Sequence, residues 1–264
     1  LTTKRKIMRY LIILSITLLF STLSSADNLD SKFLVDIGKG VSQSSHLCTL
    51  KGKATLDDVN RIDKKLHKWH DENGVNITRS RLEPLFVGAS TMSYDFIAVD
   101  WMTWETFGEA WDKFMSSSSG QSIFAEYNKI MDCSRVVGSM YPMFRNASAY
   151  TDNQGVVTIN WCTRKESVSQ DALIARHRNY RDGLTADSPI QYWGIGYPSA
   201  GARKGQFPGE FFHWNGYADM KDYAAAENNQ ANNEGWRGRA DYYASYADCS
   251  GPLLMTHTIL KRNN

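Results

Sequence analysis

The residues best suited to chemistry lie in EFFHWNGY, 210–217. Strand alternation puts Phe211, His213, Asn215 and Tyr217 on one face and Phe212 and Trp214 on the other. An imidazole of ordinary pKa, about 6.5, beside hydrogen-bond acceptors makes His213 a candidate general base or haem ligand. In YDFIAVDW, 94–101, the same register sets Phe96, Ala98 and Asp100 against Ile97, Val99 and Trp101. The all-apolar face is expected under helices. The mixed face, with His213, Asn215 and Asp100, is expected to point into a barrel interior or a cleft. Asp100, Tyr192, Trp193, Asn215 and Tyr217 are the candidate ligand-binding residues, because aromatic rings with polar tips can grip a small molecule.

Other patterns carry less. HKWHDE, 67–72, places His67 and His70 three residues apart on a helix, but there is no HExxH and no local third ligand, so a solvated helix face and no metal site are expected. GIGYPSAGARKGQFPG, 194–209, fails as a phosphate loop: Ala202-Arg203 stands where Lys-Ser/Thr is needed, and the segment joins strands. It reads as a long, flexible hairpin connection. Arg176, Arg178 and Arg181 do not form a continuous stripe, which favours a solvated face.

The elements that position these residues come in two matching sets. HLCTLKGKATLDDV (46–59) faces NWCTRKESVSQDAL (160–173), YDFIAVDW faces GEFFHWNG (209–216), and FAEYNKIMDCS (124–134) faces DYYASYADCS (241–250). The first and last cysteines of the two sets are 85 and 87 residues apart. This is the signature of an internal duplication. Each unit reads as a strand ending near a cysteine (41–51; 155–165) and a helix (55–74; 169–183). Two strands, a second helix (about 104–115; 218–228), a short helix and a last strand opened by Asp-Cys-Ser complete it. That order is β-α-β-β-α-β, the split βαβ motif, in which strand 1 lies antiparallel to strand 4. The predicted disulfides are therefore Cys48–Cys133 and Cys162–Cys249, leaving no thiol as nucleophile.

The paired units resemble the dimeric α/β-barrel superfamily over about residues 45–264. The fold class expected is α+β: two tandem ferredoxin-like β-α-β-β-α-β repeats whose sheets face each other as a pseudo-dimeric α/β barrel. The expected boundaries are 41–146 for the first repeat, 147–154 for a linker and 155–264 for the second. The resemblance implies a range of roles, since that superfamily includes cofactor-free monooxygenases, isomerases and haem enzymes. Fold alone does not choose among them. The leading expectation is an exported small-molecule-binding protein with its cavity in the second repeat. Two alternatives stand beside it: a cofactor-free or haem-dependent oxidoreductase using His213, and a structural or interaction protein with a packed barrel.

The remaining features concern location and partners. Lys4, Arg5, Lys6 and Arg9 precede the apolar run YLIILSITLLF and the small residues STLSSA, which predicts a signal peptide over 1–26, followed by a flexible lead-in, 27–40. The net charge of +2 falls to −2 without those four basic residues, so no nucleic-acid partner is expected. A secreted or periplasmic protein with disulfides, no membrane span once the signal is removed, and self-association left open completes the reading.

Overall fold

The computed structural model describes residues 38–88, 93–146, 153–202 and 207–262. The expected signal peptide, and most of the expected lead-in and linker, lie outside them. The chain runs β1 (Val41–Leu50), α1 (Leu56–Glu72), β2 (Thr78–Phe86), β3 (Phe96–Met102), α2 (Trp104–Ser116), α3 (Ser118–Ile130) and β4 (Met131–Arg145). The order then recurs: β5 (Gln154–Arg164), α4 (Gln170–Asp182), β6 (Tyr192–Ala200), β7 (Phe211–Tyr217), α5 (Met220–Asn232), α6 (Gly235–Ser245), β8 (Ala247–Cys249) and β9 (Leu253–Lys261). No helix among the described residues is long and apolar enough to cross a membrane.

Local chemistry sets the helix bounds. The Thr55 hydroxyl accepts from the Asp58 amide while the Asp58 carboxylate accepts from the Thr55 amide, a reciprocal cap that starts α1. Val59, Ile62, Leu66 and Trp69 recur at helical spacing and are buried against the sheet. Gly74, at φ 66°, turns the chain out of the helix. Ser169 caps α4, which buries Leu173 and His177 one turn apart.

Eight strands close into an antiparallel barrel with the helices outside. In the first half the order is β4-β1-β3-β2, and in the second β9-β5-β7-β6. Two seams, β2–β9 and β4–β6, join the halves by backbone hydrogen bonds. The two sheets therefore share edges rather than only facing each other, and the barrel has no free edge. Cys48 lies opposite Cys133 and Cys162 opposite Cys249, and each pair is disulfide-bonded.

The last strand of the second half is broken. β8 pairs with β5 from Cys162 to Arg164, and β9 resumes at Ile159. Ser250-Gly251-Pro252 intervenes, because proline has no N–H to offer the ladder. The matching β4 runs unbroken. The glycine-rich stretch after Gly194, expected as a loose connection, is strand as far as Ala200.

One expectation is reversed. Ile97 and Val99, with Phe212 and Trp214, point into the barrel and form one apolar cluster. The mixed face lies under the helices. The reason lies in the helices, whose buried stripes offer polar partners to the mixed face and leave the apolar sides of the two halves to meet across the barrel. The inner faces of the helices carry Asp63 and Tyr242, which pair with Arg79 and His213 on the sheet, and Tyr127 and His177, which pair with Asp63 and Tyr242 in turn.

Candidate functional site

A cavity of about 210 Å³ lies between strands β5, β6 and β7 and helices α4, α5 and α6. Alternation in β7 brings His213, Asn215 and Tyr217 to it, β6 adds Trp193, and α4 and α6 supply His177 and Tyr242. These side chains form a directed chain. The Trp193 indole N–H donates to His213 Nδ1 at 3.1 Å. Tyr242 Oη lies 3.2 Å from His213 Nε2 and 2.8 Å from His177 Nε2.

The indole can only donate, so His213 Nδ1 must accept. A neutral His213 then carries its proton on Nε2 and donates to Tyr242 Oη. The single Tyr242 proton goes to His177 Nε2. Burial holds both imidazoles neutral: it pushes His213 down to about 4. His177 falls to about 3, from burial first and then from the nearby charges of His213 and Arg176. Burial also raises the Tyr242 hydroxyl well above its usual range, so it stays protonated.

The rest of the lining is aromatic and polar with its charges engaged. Arg176 lies 3.6 Å from Asp241, and Arg239 lies 3.2 Å from Glu227. Asn215 Nδ2 donates to Thr158 Oγ1 at 3.3 Å, and Asn160 Nδ2 to Tyr243 Oη at 3.2 Å. Asn160 Oδ1 and Gln230 Oε1 are buried acceptors with no protein partner. Leaving such an acceptor unpaired costs about 1–3 kcal/mol, so a donor brought by a ligand would be bound favourably there.

Four of the residues expected at a site, His213, Trp193, Asn215 and Tyr217, come together here. Two do not. Tyr192 faces the other way and packs on the barrel-interior cluster, because it neighbours Trp193 on a pleated strand. Asp100 sits in the first half, where Arg79 reaches it at 2.7 and 2.8 Å. Arg79 also pairs with Asp63 at 3.2 Å, and Tyr127 Oη donates to Asp63 at 2.6 Å.

The two clusters occupy matching places. Arg79 pairs across the ladder with Asp100 as Trp193 does with Asn215. Ion pairs fill the first place and leave about 80 Å³, whereas neutral rings and an open cavity stand in the second. His70, expected on a solvated face, is buried beside the first cluster and pushed down to about 4 by that burial. His177 and Tyr242 were not singled out from sequence. His177 stands where Asp63 stands in the other half, whereas the counterpart of Tyr127 by spacing is Tyr243, one residue past Tyr242.

No family model and no curated protein matches the chain. Solved structures do. A candidate monooxygenase from Lactobacillus acidophilus superposes with a TM-score of 0.51 at 11% identity, over 85% of this chain and 96% of that one. An anthrone oxidase-like protein gives 0.52 at 10%, over 85% and 93%. A candidate chlorite dismutase gives 0.50 at 10%, over 84% and 96%. The fold is that of the dimeric α/β-barrel superfamily. These dimeric α/β-barrel neighbours bear the names of redox enzymes, which corrects the expectation of an exported protein that only binds a small molecule. The oxidoreductase alternative accords with them better.

Haem, one cofactor that this fold raises, does not suit the residues present. Both nitrogens of His213 are engaged, and His177 Nε2 accepts from Tyr242, so neither imidazole of this cavity has a lone pair on those nitrogens left for iron. The cavity also falls below the roughly 300–1,000 Å³ of pockets that enclose drug-sized ligands.

Proposed function

We propose that the protein is a cofactor-free oxidoreductase, exported to an oxidising compartment, that oxidises a small hydroxylated planar aromatic substrate. The chain would comprise two tandem ferredoxin-like repeats, 41–146 and 155–264, with the reaction confined to the second. The observation that carries the reading is the hydrogen-bonded series Trp193, His213, Tyr242, His177 opening onto an aromatic cavity with two unpaired buried acceptors. The rings of Trp193 and Tyr217 would bind the substrate plane, and Asn160 Oδ1 or Gln230 Oε1 would accept its hydroxyl.

In the reaction, Tyr242 Oη takes a proton from an activated CH₂ of the substrate as its own proton passes to His177 Nε2. His213 acts as a positioning residue that fixes the Tyr242 oxygen through Nε2–H. The electron-rich carbon then reacts with dioxygen. One oxygen atom ends as the new carbonyl oxygen and the other leaves as water with the two hydrogens of the CH₂. The substrate supplies the electrons, so no further reductant is needed. The disulfides accord with an oxidising compartment.

The test uses anthrone and 1,8-dihydroxyanthrone as probes, with oxygen uptake and quinone absorbance as readouts. Haem-free protein should consume one dioxygen per anthrone. Tyr242→Phe should lower kcat by about 10²- to 10⁴-fold with little change in KM, the usual contribution of proton transfer. Absence of turnover above background on both probes, or full rate in folded Tyr242→Phe, would overturn the reading.

A further inference from the structure

A larger cavity lies on the other side of the sheet from His213. About 1000 Å³ of space runs down the barrel interior. β1 lines it from Gln43 to Thr49, which at strand rise is about 20 Å of depth. Leu47, Leu82, Ile97, Val99, Ile159 and Met255 make apolar walls. Near the mouth, Trp161 and Phe207 stack with ring centres 4.7 Å apart and planes 12° from parallel, which presents a flat apolar surface.

The polar groups inside are few and aligned. Trp101 Nε1–H donates to Gln43 Oε1 at 3.1 Å, and Gln43 Nε2 donates to Ser45 Oγ at 3.1 Å. This leaves the Ser45 hydroxyl proton to be offered into the cavity. Among the described lining residues Asp132 alone carries charge. It stands at the mouth, where Lys51 pairs with it at 2.7 Å. A charged head group would find no partner inside, while a long apolar body would meet hydrocarbon and aromatic surface throughout.

We propose that the barrel interior is a second binding site, for an elongated, uncharged and mostly apolar molecule with one hydroxyl or carbonyl that pairs with Ser45. This site is separate from the proposed redox cavity, although Pro252 at the strand break borders both.

The test measures displacement of the fluorophore N-phenyl-1-naphthylamine by 1-dodecanol. The alcohol should displace it with one-to-one stoichiometry, and dodecanoate should do so at least tenfold more weakly. Ser45→Phe and Leu47→Trp, checked as folded by circular dichroism, should weaken dodecanol at least tenfold. Asn160→Phe, which fills the other cavity, should not. A diazirine-bearing dodecanol should label wild-type peptides containing Leu47 or Val99, and this decides the matter if the barrel variants do not fold. No displacement, undiminished binding in the folded barrel variants, or labelling confined to α4–α6 peptides would overturn the proposal.

Discussion

Acid should unfold this protein unusually early and steeply. His46 and His177 are pushed down to about 3, and His70, His213 and His257 to about 4, with burial the largest cause in each. An unfolded chain takes up protons on these imidazoles near pH 6.5, whereas the native protein refuses them until pH 3–4. The unfolded state therefore holds more protons throughout that window. Stability is complete above pH 6.5 and falls as the pH drops toward 4. Each such group contributes a slope of about 1.4 kcal/mol per pH unit. His70, His177 and His257 are buried outright, at 7%, 3% and 5% exposure, and together give about 4 kcal/mol per unit. The less enclosed His46 and His213 raise this toward about 7. Against a total stability of about 5–15 kcal/mol, the unfolding midpoint should fall between roughly pH 4 and pH 6. Urea titrations followed by tryptophan fluorescence at half-unit steps from pH 7.5 to 4 measure the slope directly. A urea midpoint unchanged between pH 7 and pH 4.5 would refute the claim that these imidazoles are neutral and enclosed.

Two further perturbations test the framework. Arg79→Met strands the Asp63 and Asp100 carboxylates inside the first half and should lower stability by about 3–5 kcal/mol in urea titration. Adding Asp63→Asn and Asp100→Asn should restore most of it. Replacing Cys162 and Cys249 with serine opens a loop spanning 87 residues and should cost about 4.6 kcal/mol on the chain-entropy account, read as a lowered Tm, with the first-half bridge still found by peptide mapping.

The sequence carried element order and the cysteine partners because these are encoded in spacing. Alternation also sorted His213, Asn215 and Tyr217 from Phe212 and Trp214 correctly. It did not say which face turns inward. That depends on what each helix presents, and the polar Asp63 and His177 sit on the buried stripes of α1 and α4, where apolar residues are the usual occupants. The meeting of His177 with His213, ring centres 5.2 Å apart, is set by how α4 crosses β7, a tertiary fact with no local pattern. Asp100 was grouped with His213 by register, although equivalent register in two halves means different neighbourhoods. Trp193 fixing the His213 tautomer could be recognised only once the distance was known.

The joining of both halves in a single chain has a consequence for how they can diverge. In an assembly of identical subunits a two-fold axis copies every substitution, so whatever helps one pocket is imposed on the other. Here Arg79 and Trp193 occupy corresponding places and are free to differ. One side is filled by opposite charges around Arg79, while the other keeps a neutral, aromatic hollow beside Trp193.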